Sequence, residues 1–457
     1  MKNKILKELI KIVNKKNVSA EKIDLLHYAY DATQNMYLPD FVVFPENTEQ
    51  ISHILKLCTE YRVPIVPRGA GTGFSGGSLP ISGGICLSLE KMNKILEIDT
   101  ENLVAHVEAG VINYDLREET EKFGLFYPPD PSSYKYCTIG GNVAENAGGP
   151  RAVKYGVTKN YILGMELVFP AGEVVISGSK NMKDVAGYNL KDLMIGSEGT
   201  LAIITKLFLK LIPLPPYKSV LQATFSDMKE AAQTVTNIIA DKVTPSALEF
   251  IDGPCIRAIE DYLHIGLPKE AQAMLIIECD GMKESVEAEL SLIEKVCAKN
   301  NAQHVKRAKD KKEEEILWKA RRSISPSLNR IRDGKLNEDV VVPRASLPQM
   351  IASIQEISKK YNLPIVNFGH AGDGNIHTNI MFKEGSEEEE KAKGAMIKIF
   401  EMVIEMGGSI SGEHGIGITK QDFLEKQLGK ETINIFKRIK KALDPSNILN
   451  SHKMKLC

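Results

Sequence analysis

Apolar and polar positions change their spacing several times along this chain, and the changes predict an alternation of strands and helices. Residues 1 to about 36 are polar, with apolar residues at helical spacing, and predict a helical segment ending near His27-Tyr-Ala-Tyr-Asp31. Pro39-Asp-Phe-Val-Val-Phe-Pro45 reads as a short buried strand. Asn47 then caps a run with apolar residues at i, i+3 and i+4, a helix. Further strands are predicted at 85–89, 104–108 and 205–212. Ile212-Pro-Leu-Pro-Pro216 breaks the pattern and is the best domain boundary. Beyond it, strands at 219–225, 246–251 and 273–279 alternate with helices near 227–240 and 282–300, predicting a sheet covered by helices on one side. The charged run 307–315 reads as a solvated helix face.

Three glycine clusters punctuate this pattern. The first, Pro67-Arg-Gly-Ala-Gly-Thr-Gly-Phe-Ser-Gly-Gly-Ser78, follows the apolar run Val63-Pro-Ile-Val66. Its Gly71-x-Gly73-x-x-Gly76 has the spacing of the dinucleotide fingerprint, but a Rossmann unit needs a helix opening at the third glycine. Here Pro80, Gly83-Gly84 and a strand follow instead. The loop therefore reads as a phosphate cradle without the Rossmann helix. The others are Thr138-Ile-Gly-Gly-Asn-Val-Ala-Glu-Asn-Ala-Gly-Gly149 and Ile195-Gly-Ser-Glu-Gly-Thr-Leu-Ala-Ile-Ile204. Any one of them alone is an ordinary tight turn. Three together, each touching apolar strands, point to one extended ligand lying across several loops.

Totals narrow the class. At 457 residues the chain exceeds what one core sustains, so two or more domains are expected. With 58 basic against 59 acidic residues, no electrostatic case exists for nucleic acid as a partner. No stretch matches a membrane helix, and the N-terminus lacks the apolar core of a signal peptide, which points to the cytoplasm. Seven scattered cysteines without a C-x-x-C pair read as reduced thiols and not as a disulfide framework or an iron–sulfur site.

Of nine histidines, three sit in two late motifs, Phe368-Gly-His370-Ala-Gly-Asp-Gly-Asn-Ile-His377-Thr-Asn379 and Ser411-Gly-Glu413-His414-Gly-Ile-Gly417. The Gly-Asp-Gly-Asn turn predicts two antiparallel strands whose ends bring both imidazoles of the first motif together. His370, His377 and Glu413 have the composition of a three-ligand metal site with an open position, of the zinc His-His-Glu or the non-haem iron type. The side chain of His414 diverges from that of its neighbour Glu413, which leaves it to act as a base, since an imidazole ordinarily titrates near ~6.5. A packed polar network is the bland alternative. Cradles, metal and base together suit hydrolysis or redox chemistry.

These motifs, in order with Asp444-Pro-Ser-Asn-Ile-Leu449, resemble the FAD-linked 2-hydroxy-acid dehydrogenase family of glycolate oxidase D subunits, D-lactate dehydrogenases and D-2-hydroxyglutarate dehydrogenases, over nearly the whole chain. The resemblance implies an α+β protein: an N-terminal helical segment (1–36), a vanillyl-alcohol-oxidase (PCMH) type FAD-binding domain (37–215), a ferredoxin-like substrate cap (216–410) and a C-terminal helical segment packing back on the FAD domain (411–457). It implies that Pro67, Arg68, Gly69, Ala70, Gly71, Thr72, Gly73, Phe74, Ser75 and Gly76 cradle the pyrophosphate. Pro129, Asp130, Ser132, Thr138, Gly140, Gly141, Asn142, Asn146 and Gly149 would line the flavin, and Glu198, Gly199 and Ile204 would lie near the adenine end. The first loop has no His or Cys, so FAD would be non-covalent. Arg321, Ser325 and Asn379 would hold substrate, His370, His377 and Glu413 a divalent ion (zinc, with iron or manganese as alternatives), and His414 would be the base. Hydroxyglutarate enzymes place a lysine where this chain has Asn337, with Lys335 displaced by two; this favours a small substrate, D-lactate or glycolate. Electrons would pass to a separate acceptor, an iron–sulfur subunit, electron-transfer flavoprotein, cytochrome or quinone, and a partner would supply any peripheral membrane association. A non-catalytic FAD subunit is the runner-up.

Overall fold

The computed structural model describes residues 1–33 and 35–456; Cys457 lies outside them. The chain forms two compact units, one comprising residues 1–147, 157–214 and 413 onward, the other 148–156 and 215–412. The expectation of an unbroken stretch 37–215 thus differs at 148–156, which carries Gly149 into the second unit.

In the first unit, Lys2–Val13 is a helix because Ile5, Leu9 and Val13, four apart, share one buried face. The predicted helical stretch to residue 36 does not run through. Asn14 turns the chain at φ 68°, and Val18–Ser19 pairs antiparallel with Phe41–Val43. That short pair edges a four-stranded sheet in which Phe41–Val43 and Ile65–Arg68 flank Ile85–Ser88 in parallel. The helix after Asn47 forms as expected, the Asn47 side chain accepting from the Gln50 N–H at 3.0 Å. A five-stranded antiparallel sheet runs in the order Ile95–Asp99, Val104–Glu108, Ile203–Lys210, Ile162–Val168, Val174–Gly178. The second glycine cluster is a helix, Ile139–Glu145, and not only a turn: the Thr138 hydroxyl caps it by accepting from the Gly141 N–H. Gly140 lies against Ala109, where a Cβ would meet the Ala109 Cβ at 2.6 Å, which explains a glycine inside a helix.

In the second unit, seven strands form one sheet in the order His304–Arg307, Tyr217–Phe225, Ala273–Gly281, Ala247–Asp252, Ile365–Gly369, Asn375–Phe382, Gly334–Val341. Helices cover both faces, where one was predicted. Met228–Ala240, Lys283–Lys299, Leu347–Tyr361 and Glu388–Glu405 pack on one side. On the other, Ile256, Ile259, Leu317 and Ile324 close over Ile251, Met274, Ile276, Val366, Phe368 and Met381 in one buried cluster. Met274-Leu-Ile-Ile277 is apolar on both faces, as a sheet buried on two sides requires. Residues 148–156 join this unit through Arg151 to Glu278 (3.1 Å) and Lys154 and Tyr155 to Asp280 (2.6 and 2.8 Å).

Candidate active site and cofactor loops

The two predicted strands of the histidine motif form an antiparallel pair, with Phe368 opposite His377. His370 follows directly, after Gly369, whose φ of 157° and tight approach to the Asn375 carbonyl leave no room for a Cβ. The imidazoles of His370 and His377 are buried, edge to face, with ring centres 5.3 Å apart.

Glu249 organises the pair and was not identified from sequence. It is fully buried in the strand Ala247–Asp252, accepts from His370 Nδ1 at 2.6 Å and pairs with the Arg321 guanidinium. Burial pushes its carboxyl up, but Arg321 and His370 outweigh that and bring it down to about 2. As a carboxylate accepting from Nδ1–H, it fixes the tautomer that puts the His370 lone pair on Nε2, the arrangement of a carboxylate–histidine–metal triad. Its signal was an acid in the middle of an apolar strand, Leu248-Glu-Phe-Ile251. Glu249→Gln would leave a buried guanidinium without its anion, and is expected to lose about 3–5 kcal/mol of stability in a urea titration. A loss under about 1 kcal/mol would show that the pair does not hold this unit together.

Arg321, expected as the carboxylate fork, spends Nε on Glu249, and its guanidinium lies 5.0 Å above the Phe368 ring. Its buried Nη2 has no hydrogen-bond partner among the described residues. Asn379 is buried and donates to the His377 carbonyl at 3.2 Å. Asn337 stands opposite Asn379 across the strand pair, and its buried Oδ1 has no partner among the described residues. Ser325 is not brought to this cluster: it is exposed and accepts from Lys335 at 3.0 Å. Asp339, also missed, accepts from Asn375 Nδ2 (2.6 Å), the Ser411 hydroxyl (3.2 Å) and the Gly412 N–H (2.8 Å). It therefore fixes the backbone at the residue before Glu413, which opens the last segment of the first unit.

In that first unit, His414 stacks on Phe74 of the first glycine loop, with ring centres 4.9 Å apart. The turn after His414 is built by Glu198, whose carboxylate accepts from the N–H groups of Ile416 (2.7 Å) and Gly417 (2.6 Å). Glu198 holds a left-handed backbone, φ 52°, tied by its own N–H to the Ala144 carbonyl. Its side chain is committed to this turn, where the resemblance placed it near adenine. Glu145 lies beside it, bonded to Ser75 Oγ at 3.1 Å. Desolvation, and then the Glu198 carboxyl, push Glu145 well above the usual carboxylate range. The two amides make Glu198 the better home for the charge.

The glycine loops fit a large anionic cofactor. Among the described residues, no backbone N–H from 69 to 76 donates within the chain. Carbonyls of the same loop are engaged: Gly73 by the Ala32 N–H and Ser75 by the Ile418 N–H. A Cβ on Gly73 would meet only Glu145 Oε1, at 3.9 Å, so open space lies before it, whereas one on Gly141 would crowd Thr138 Oγ1 at 3.0 Å. Unspent amides before open space suit a diphosphate. Thr138, Gly140, Gly141, Asn142 and Asn146 belong to the adjoining helix and its left-handed cap at Asn146. Gly199 packs on Pro67, and Ile204 lies in the strand Ile203–Lys210.

Residues 214–454 match the family of FAD linked oxidases, C-terminal domain, and residues 39–178 match an FAD binding domain. The chain belongs to the FAD-linked oxidase family and is an FAD-dependent oxidoreductase. Within it, the chain is 48% identical to the glycolate oxidase subunit GlcD of Bacillus subtilis (98% of this chain, 96% of the relative). It is 40% identical to the Escherichia coli K12 protein of that name (91% and 83%) and 38% to a D-lactate dehydrogenase of Anaerostipes hadrus (91% and 89%). The fold is that of p-cresol methylhydroxylase, at a TM-score of 0.82 and 20% identity (98% and 95% covered). A 4-ethylphenol oxidase from Gulosibacter chungangensis matches at 0.79 and 16% (99% and 97%). Among the described residues no helix is long and apolar enough to cross a membrane, and six cysteines are buried free thiols.

Proposed function

We propose that this protein oxidises a small D-2-hydroxy acid, D-lactate or glycolate, to the 2-oxo acid. The observation that carries the reading is the buried Glu249–His370 pair beside His377 and Asn379 on one sheet, with Arg321 reaching Glu249 from the helix Lys311–Arg322. The relatives named for glycolate and D-lactate support the substrate class.

The first unit holds non-covalent FAD on the 67–76, 138–146 and 198–204 segments, and the second binds substrate. FAD supplies the two-electron acceptor for the hydrogen on the substrate's Cα. A divalent ion held by His370, His377 and Glu413, zinc ahead of iron or manganese, supplies Lewis-acid polarisation of the α-hydroxyl. Glu249 keeps His370 Nδ1 protonated and Nε2 available as a ligand. Arg321 Nη2 and Asn379 orient the substrate carboxylate. His414 takes the hydroxyl proton on an imidazole nitrogen and passes it to solvent. Asn337 gives this site an amide where a second, distal carboxylate would need a cation. Electrons leave to a separate protein or quinone; the word subunit in the relatives' names favours a protein.

The test is a substrate panel on purified protein, with FAD and metal quantified and an artificial dye as acceptor. D-lactate or glycolate should reduce the dye at least tenfold faster than D-2-hydroxyglutarate, the ratio worth about 1.4 kcal/mol of transition-state discrimination. Preference for the diacid would overturn the substrate assignment. Silence with every acid, FAD being bound, would favour the non-catalytic subunit.

A further inference from the structure

We propose that Lys453 is a positioning residue for the cofactor, holding the carbonyls of the first glycine loop inward so that its N–H groups face the pyrophosphate. This rests on the reading of that loop as the pyrophosphate site. Lys453 lies in the C-terminal segment, is 1% exposed, and no sequence signal marked it. Its ammonium donates to the carbonyl of Gly76, to that of Leu79 at 2.9 Å and, at 3.4 Å, to that of Gly77. Asn450 Nδ2 adds a second donor to the Gly77 carbonyl at 2.8 Å.

The loop is therefore sharply asymmetric. The carbonyls of Gly73, Ser75, Gly76, Gly77 and Leu79 all accept from the chain, and three of these five accept from Lys453. The N–H groups of 69–76 donate to nothing within the chain among the described residues. An ammonium has three donors and no acceptor, so one lysine can gather several carbonyls at a point where a neutral side chain would satisfy one or two. Lys453 also sets a positive charge under the loop, among the carboxyls of Asp31, Glu145 and Glu198. Without it, an anionic pyrophosphate would approach three acids. Lys440 plays a different part: it donates to the Thr200 and Leu449 carbonyls and pairs with Asp444 at 2.5 Å, away from the first loop.

The test separates ligands with a pyrophosphate from one without. Apoprotein of the wild type and of Lys453→Met is titrated with FAD, ADP and riboflavin, and its folding is followed by circular dichroism melts. Lys453→Met should weaken FAD and ADP by roughly 10- to 100-fold, the loss expected for a charge-assisted hydrogen bond. Riboflavin affinity should stay within about threefold. Equal loss for all three ligands, or no loss, would overturn the proposal, since a merely structural lysine would not distinguish them. Wild-type apoprotein that binds neither FAD nor ADP would instead reject the loop assignment itself, and the proposal with it. Should Lys453→Met not fold, Lys453→Gln keeps a donor without the charge and is expected to show the same selective loss. In the wild type, ADP should slow amide exchange in both 69–78 and 449–454; protection confined to 69–78 would count against Lys453.

Discussion

His414→Ala is expected to lower kcat by about 10²- to 10⁴-fold, the range for loss of a general base, while FAD stays bound. The separation is possible because the helix cap and the loop backbone proposed to cradle FAD are held by bonds that do not involve the His414 imidazole, which meets that loop by stacking on the Phe74 ring. The turn after it is held by Glu198 through the backbone of Ile416 and Gly417, and these bonds survive removal of the ring. The measurement is the rate of flavin bleaching on mixing with substrate under anaerobic conditions, beside the flavin content of the variant. A base lost from the transition state lowers kcat and kcat/KM together. Unchanged bleaching would remove His414 from the mechanism.

Complete removal of divalent metal should abolish turnover and leave the visible flavin spectrum intact. None of the three proposed ligands, His370, His377 and Glu413, belongs to the 67–76, 138–146 or 198–204 segments assigned to FAD, so the two cofactors should come off independently. Re-addition of zinc, iron or manganese one at a time then identifies the ion by recovered activity. Full activity in a sample shown by elemental analysis to be metal-free would reject the metal. Glu249→Gln gives a graded version of the same experiment, since loss of a partner behind a ligating histidine typically costs about 10- to 100-fold in metal affinity.

What was legible in the sequence were features whose physics is local. The strand pair around His370 and His377 follows from a Gly-Asp-Gly-Asn turn between apolar runs, and its register came out with Phe368 opposite His377. The Asn47 cap follows from one side chain and the backbone three residues on. The exclusion of a Rossmann unit needed only Pro80 and the glycines after it. Misread features were those whose cause lies elsewhere in the chain. Ile139–Glu145 carries glycine inside a helix because Gly140 must pass close to Ala109, far away in sequence. The second sheet is covered on both faces because Leu317 and Ile324, which lie beyond the charged run 307–315, reach the same cluster as Ile256.

By itself, the sequence determined the family, the three glycine loops and the candidates His370, His377, Glu413 and His414, because turns, caps and motif spacing are properties of a few neighbouring residues. Only the tertiary structure decided which charges support them. Glu249 meets His370 across 121 positions, Glu198 meets Gly417 across 219, and Lys453 meets Gly76 across 377. A buried charge is tolerated only with a partner, and that partner is chosen by folding, at separations that no local pattern encodes.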